Sequence, residues 1–303
     1  MRQAPFLDRE RNSFRLSGRA GDLASVGHVG RDQPPQLRTE GADLELDAGG
    51  AHVTVDPARG GRVASLRVAG HDLLVAEAEV GDPKLWGCYP MVPWAGRVRD
   101  GRFGFRGTNH ELPVDAPPHA IHGVGYRTPW QETGPGSLRL DLDGLWPFGG
   151  EVTQGVVLTP TSLALTMTII AVERALPVVM GWHPCFRRRL DAGEPAQLAV
   201  PATSMWERDP SGIPTGRQVP VPVGPWDDAF TGLSEDPTIT WPGAIVVTLR
   251  SSCDVCVAYD QDPRLLCVEP QTDAPDAFNR DPTVVEPGHS LRAHLEIRWS
   301  SLA

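Results

Sequence analysis

The sequence predicts an all-β fold, a large antiparallel β-sandwich. Three observations point there. Short stretches alternate apolar and polar residues along most of the chain, which is the two-residue period of a half-buried strand. They recur about every ten residues with turn signals between them, a spacing that suits a sandwich or barrel better than βαβ units. Glycine (32) and proline (30) are spread along all 303 residues, and this argues for many turns and against a helical bundle.

The elements justify that expectation in order. Ala-Asp-Leu-Glu-Leu-Asp-Ala alternates up to Gly49-Gly50, and alternation resumes through Ala51, Val53 and Val55, as in a hairpin around a tight turn. Residues 62–75 repeat the pattern with a turn at Ala69-Gly70. Further strands are expected within 102–114, 137–144, 153–172, 196–202, 244–251, 254–260, 265–270 and 291–300. The run Ser162 to Val172 is rich in Leu, Thr, Ile and Val, a β-prone mixture. No segment keeps an apolar stripe at helical spacing for about four turns. No internal repeat suggests a propeller or solenoid. One domain is therefore expected over residues 41–303. Residues 1–40 mix seven arginines with Asp, Glu, Gly and Ser without sustained periodicity, and they are expected to form a disordered extension.

Composition narrows the function. A net charge of −10 opposes general affinity for nucleic acid or anionic lipid. No run of about 18 apolar residues is long enough to span a membrane as a helix. Five cysteines, with no secretory signal before them, place the chain in a reducing cytoplasm as an expectation. Lys84 is the only lysine among 28 basic residues, a bias that weakens any inference from a single arginine. There is no phosphate-binding G-x-x-x-x-G-K-[ST], no G-x-G-x-x-G after a strand, no H-E-x-x-H and no G-x-S-x-G. Cys253 and Cys256 have redox or metal spacing, but they fall in a stretch that reads as a strand. An offset of three would turn their side chains to opposite faces. Neither a metal nor a cofactor is expected.

Four clusters interrupt the β pattern with titratable groups beside Gly, Pro or aromatics: residues 89–103, 119–127, 181–186 and 268–279. Each is expected at a strand end, because loops on a rigid scaffold usually carry the site. In order and spacing they resemble the aldose 1-epimerase family. The matching stretches are Gly96-Arg97-Val-Arg-Asp-Gly101-Arg-Phe103, Ile121-His122-Gly123, His183-Pro-Cys-Phe186, Trp226-Asp227-Asp228-Ala-Phe230 and Val268-Glu269-Pro-Gln-Thr272. Two positions depart from the family pattern: Gly96 stands where asparagine is usual, and Cys185 where an aromatic is common.

The resemblance implies a galactose mutarotase-like supersandwich, an isomerase with no cofactor, a small sugar as its partner, and a monomer or homodimer. It assigns Glu269 as the base that takes the proton of the C1 hydroxyl and His183 as the acid that protonates the ring oxygen. His122 would polarise the ring oxygen, and Arg97 and Asp227 would hold hydroxyls, with Asp228 as rival to Asp227. Trp94 and Trp182 are candidate stacking platforms. His119 is a weaker candidate, as its neighbour His122 fits the motif. Three alternatives remain. A hexose 6-phosphate epimerase would use Arg99, Arg102, Arg127 or Arg187–Arg189 for phosphate. A glycoside hydrolase would need two carboxyls. A non-catalytic carbohydrate-binding or sensor module would keep the fold without the chemistry.

Overall fold

In the computed structural model, residues 43–302 are described, Ala192 excepted. The expected disorder of 1–40 lies outside them. The alternating stretches build two large antiparallel sheets. The first is 11-stranded, and ten of its strands follow one another edge to edge: Leu44–Ala48, Ala51–Asp56, Arg62–Val68, Cys88–Met91, Gly181–Arg187, Leu265–Gln271, Val255–Tyr259, Asp227–Leu233, Ala202–Arg208 and Pro214–Val219. The second is 8-stranded, in the order Gln131–Gly134, Ser137–Asp141, Glu151–Thr159, Ser162–Ile170, Ser290–Ser301, Ile245–Ser251, Thr238–Trp241 and Gln197–Ala199. The longest described helix is the four-residue Glu77–Val80, and no described helix is long and apolar enough to cross a membrane.

The first hairpin shows why local sequence suffices at the edge. Ala48 pairs with Ala51 around Gly49 and Gly50, whose φ angles are +55° and +86°. Positive φ at both central residues matches the right-handed twist of the flanking strands, and glycine adopts it without a Cβ clash. At Gly49 a Cβ would also come within 2.6 Å of Pro160.

The main core fills the space between the sheets. On Ser162–Ile170, Leu163, Leu165, Met167 and Ile169 are fully buried at every second position. Ala293, Leu295 and Ile297 do the same on the neighbouring Ser290–Ser301. From the first sheet, Trp182, Phe186, Leu266 and Val268 enter the same core.

Two expectations are corrected here. Trp-His-Pro-Cys does not lie in a loop at a strand end; it occupies Gly181–Arg187, a central strand of the 11-stranded sheet, beside the expected strand at 265–270, which runs from Leu265 to Gln271 and holds Val-Glu-Pro-Gln. Every residue of Leu265–Gln271 is buried: one face packs on the main core, and on the other Leu265 and Cys267 join a smaller apolar cluster with Val75, Trp86 and Cys185 while Glu269 and Gln271 line a cleft. A strand covered on both faces loses the apolar–polar alternation by which a sequence reveals it. The second correction concerns the Cys253 and Cys256 pair. Cys253 precedes the strand Val255–Tyr259, so the offset-of-three rule does not apply to it, and both thiols join the main core. They are free, as are Cys88, Cys185 and Cys267.

Trp182 is fully buried, and its indole N–H donates to Gln154 Oε1 at 3.1 Å. Trp182→Ala should therefore lower the unfolding free energy by about 3–5 kcal/mol in a denaturant titration, through the cavity it leaves.

Candidate active site

Strand register assembles the centre of the site. Gly181 pairs with Gln271 and Cys185 with Cys267, so His183 stands across from Glu269. Side chains alternate between faces along a strand. Trp182 and Val268 therefore point into the core, and their neighbours His183 and Glu269 point to the opposite face. There His183 Nε2 lies 3.2 Å from Glu269 Oε1. Gln271, two residues on and on the same face, donates from Nε2 to Glu269 Oε2 at 3.1 Å.

Both members of the pair are held at unusual acidities. Burial pushes the Glu269 carboxyl up to about 7, with the His183 charge only partly opposing. Burial works against a charge on His183, yet the Glu269 carboxylate, and after it Cys185, raise the imidazole to about 9. A carboxyl poised at neutrality beside an imidazole poised above it is suited to exchanging protons with a substrate. Tyr89, on the adjoining Cys88–Met91, stacks flat on the His183 ring at 4.7 Å and fixes its plane.

His122 comes from the opposite wall. It adopts a left-handed backbone at φ +59°, a conformation uncommon for a side-chain-bearing residue. Gly123 follows at φ +75°, where a Cβ would approach the Val92 carbonyl oxygen to 2.2 Å. The Gly96 N–H donates to His122 Nδ1 at 3.3 Å, so the neutral ring carries its proton on Nε2. Burial, then the His183 charge, hold the His122 pKa well below its ordinary 6.5. His122 and His183 meet edge to face at 4.9 Å. His122 is thus a fixed, neutral hydrogen-bond donor beside the His183–Glu269 pair.

These three groups line one cleft of about 640 Å³, counting its open mouth. Arg97 and Asp227 also line it, with Arg97 Nη2 3.7 Å from Asp227 Oδ2. Arg208 separates the two candidate aspartates. Its Nη1 meets Asp227 at 2.8 Å and its Nε meets Asp228 at 2.9 Å; Asp227 reaches the cleft and Asp228 is buried. Gly96 lies at φ +67°, and a Cβ there would stand 2.6 Å from Pro275 Cγ. The asparagine usual at this position has no room unless Pro275 moves.

Trp94 and Trp182 do not reach the cleft; they are buried in the main core, Trp94 against Trp146 at 5.7 Å. Trp182 is excluded by its place in the chain, since the residue next to His183 on a strand must face the other way. His119 is structural: its Nδ1 accepts the Asp100 N–H, and its Nε2 meets the Ser211 carbonyl. No motif announces Arg208, Tyr89 or Lys84, which also lines the cleft. For Lys84 a signal does exist, its being the only lysine of the chain.

Ligand-type atoms of His122, His183 and Glu269 lie within 4.8 Å of one another, as do those of His183, Cys185 and Cys267. In both sets the atoms already partner one another or the backbone.

Comparison with known proteins decides the family. The family model of aldose 1-epimerase matches residues 43–298. The chain belongs to the aldose 1-epimerase family. A relative in Escherichia coli (strain K12), the uncharacterized protein YphB, is 24% identical over 246 residues, covering 70% of this chain and 83% of its own. Among solved structures, a galactose mutarotase-like protein from Clostridium acetobutylicum superposes with a TM-score of 0.76 at 17% identity, over 85% of this chain and 95% of that one. A galactose 1-epimerase from Lactobacillus acidophilus NCFM gives a TM-score of 0.72 at 14% identity, over 91% and 98%. At these identities the structural likeness establishes a galactose mutarotase-like fold, and the family match carries the rest.

Because burial keeps His122 uncharged, its ring should take up no second proton as pH falls to the ordinary histidine value of 6.5, Nε2 staying protonated and Nδ1 bare. Nitrogen-15 NMR of histidine-labelled protein checks this, and exposed His52 provides an internal contrast, as hydrogen bonding to Asp47 raises its pKa.

Proposed function

We propose that the chain interconverts the α and β anomers of a hexose by acid–base ring opening, and the carrying observation is the 3.2 Å contact of His183 Nε2 with Glu269 Oε1 at the floor of the cleft. The two oxygens involved, the C1 hydroxyl and the ring oxygen, are bonded to the same carbon. A base and an acid that serve both must therefore be close neighbours. Glu269 removes the proton from the C1 hydroxyl while His183 delivers one to the ring oxygen. The C1–O5 bond breaks, C1 becomes an aldehyde, and rotation about C1–C2 exposes its other face. The same two groups then run the transfers in reverse, so protons balance and no electron carrier is involved.

The remaining groups bind and orient. His122 presents Nε2–H to a sugar oxygen. Arg97 donates to hydroxyls and Asp227 accepts from them, with Arg208 holding the aspartate in place. The pairing of Glu269 with an imidazole, in place of a second carboxyl, favours ring opening over glycoside hydrolysis. An unphosphorylated sugar is favoured because the arginines that would serve phosphate are engaged elsewhere. Arg99 pairs with Asp209, Arg102 with Glu111, Arg127 with Asp115 and Arg187 with Glu79. Arg188 and Arg189 donate to backbone carbonyls. The five free thiols suit a reducing compartment, the cytoplasm in this proposal.

Polarimetry with freshly dissolved glucose, galactose and their 6-phosphates tests the proposal. Mutarotation of a free hexose should be accelerated, should survive EDTA, and should fall by about 10²–10⁴-fold in Glu269→Gln, the contribution of one positioned base. A response confined to the phosphorylated sugars, or no loss in Glu269→Gln, would overturn it.

The pH dependence follows from the two acidities. Below about 7 Glu269 is protonated and cannot accept the C1 proton; above about 9 His183 has lost the proton it must give. The kcat/KM profile should therefore be bell-shaped, with its plateau between those limbs.

A further inference from the structure

The far side of the His183 ring contains groups that ring opening does not use. Cys185 lies two residues along the same strand and therefore on the same face. Its Sγ is 3.3 Å from His183 Nδ1. Cys267, directly across the ladder, donates its thiol to Cys185 Sγ at 3.5 Å. Both thiols are fully buried, and Cys185 occupies the position where the family resemblance leads one to expect an aromatic.

We propose that Cys185 is a positioning residue for His183: its sulfur, supported by the Cys267 thiol, accepts a hydrogen bond from Nδ1–H and so directs the transferable proton on Nε2 toward Glu269 and the cleft.

The chemistry of imidazole makes this side matter. To act as an acid through Nε2, the ring must carry protons on both nitrogens, and the Nδ1 proton then needs an acceptor. An apolar neighbour there would leave a buried donor unsatisfied, which disfavours the doubly protonated ring. A thiol that keeps its own proton is a poor acceptor, so the electron density on Cys185 matters too. Burial would push that thiol up, but the Cys267 hydrogen bond, the His183 charge and the Arg62 guanidinium outweigh burial and bring it below the usual range. Arg62 is itself buried, is anchored on the carbonyls of Trp86 and Pro83, and lies over the Tyr89 ring at 4.8 Å.

Other groups face the pair from each packed element. The Cys88–Met91 strand brings Tyr89, stacked on His183, and Cys88, whose thiol burial pushes up. The Leu265–Gln271 strand brings Glu269 and Cys267. Across the cleft stand His122, Lys84, Arg97 and Asp227. Of these, Glu269 acts at Nε2, and the Cys185 sulfur meets Nδ1.

The catalytic consequence rests on the mutarotation proposed above, but the hydrogen bond does not, and the experiment separates the two. Nitrogen-15 NMR of histidine-labelled wild type reads directly whether Nδ1 of His183 carries a proton across pH 6 to 9. A protonated Nδ1 is expected; a bare one overturns the proposal without any variant. In Cys185→Ala the His183 titration and the alkaline limb of the mutarotation profile should both move down by about one pH unit or more, the usual size of a lost charge partner. Cys185→Ser, which keeps an acceptor but not the charge, should restore part of that shift. An unchanged His183 titration in folded Cys185→Ala also overturns the proposal. Should the wild type not accelerate mutarotation of any hexose, the assigned function fails, while the NMR result still decides the role of Cys185.

Discussion

The fixed register between Gly181–Arg187 and Leu265–Gln271 is the constraint from which the site follows. Pairing of Gly181 with Gln271 and of Cys185 with Cys267 leaves His183 and Glu269 one possible relation, side by side on one face. A slip of one residue would exchange every side chain between faces. It would carry Trp182 and Val268 into the cleft and drive the imidazole and carboxylate into the apolar core. The hydrophobic packing of Trp182, Phe186, Leu266 and Val268 therefore does more than stabilise the sheet. It determines which residues face the cleft.

That geometry places an ionisable pair where water is scarce, and the surroundings show how the pair is sustained. Removing one partner of a buried ion pair strands the other, which is why Glu269 and His183 act as a unit. Each also has a second partner: Gln271 on the carboxylate and Cys185 on the imidazole. The Tyr89 ring blocks rotation from above. His122 is treated in the opposite way, kept neutral by burial and oriented by one backbone N–H. Two histidines 4.9 Å apart are thereby given different tasks by environment alone.

The edge hairpin and the long strands of the second sheet are legible because their two faces differ, as in Leu44–Ala48 and Ser162–Ile170. The strand at 265–270 is legible from its apolar start alone. Gly181–Arg187 hides for the contrary reason: Trp182, His183 and Pro184 look like loop residues until both faces of the sheet are known to be covered. The site residues His122, His183, Glu269, Arg97 and Asp227 were accessible through motif order, and the structure gathers them around one cleft. Trp182 fails as a platform on parity, since the residue beside His183 on a strand faces the core, and Trp94 fails because it packs into that core against Trp146. Arg208, Tyr89 and Cys267 were out of reach, since their importance lies in partners distant in the chain. Gly96 shows the reverse, a departure from the family pattern that becomes intelligible only through Pro275.

The most direct test is a crystal structure of Glu269→Gln at saturating hexose. The account requires a pyranose on the floor of the cleft, its C1 hydroxyl against the side chain at 269 and its ring oxygen within hydrogen-bonding reach of His183 Nε2. A sugar seated with neither oxygen against these two side chains would contradict it.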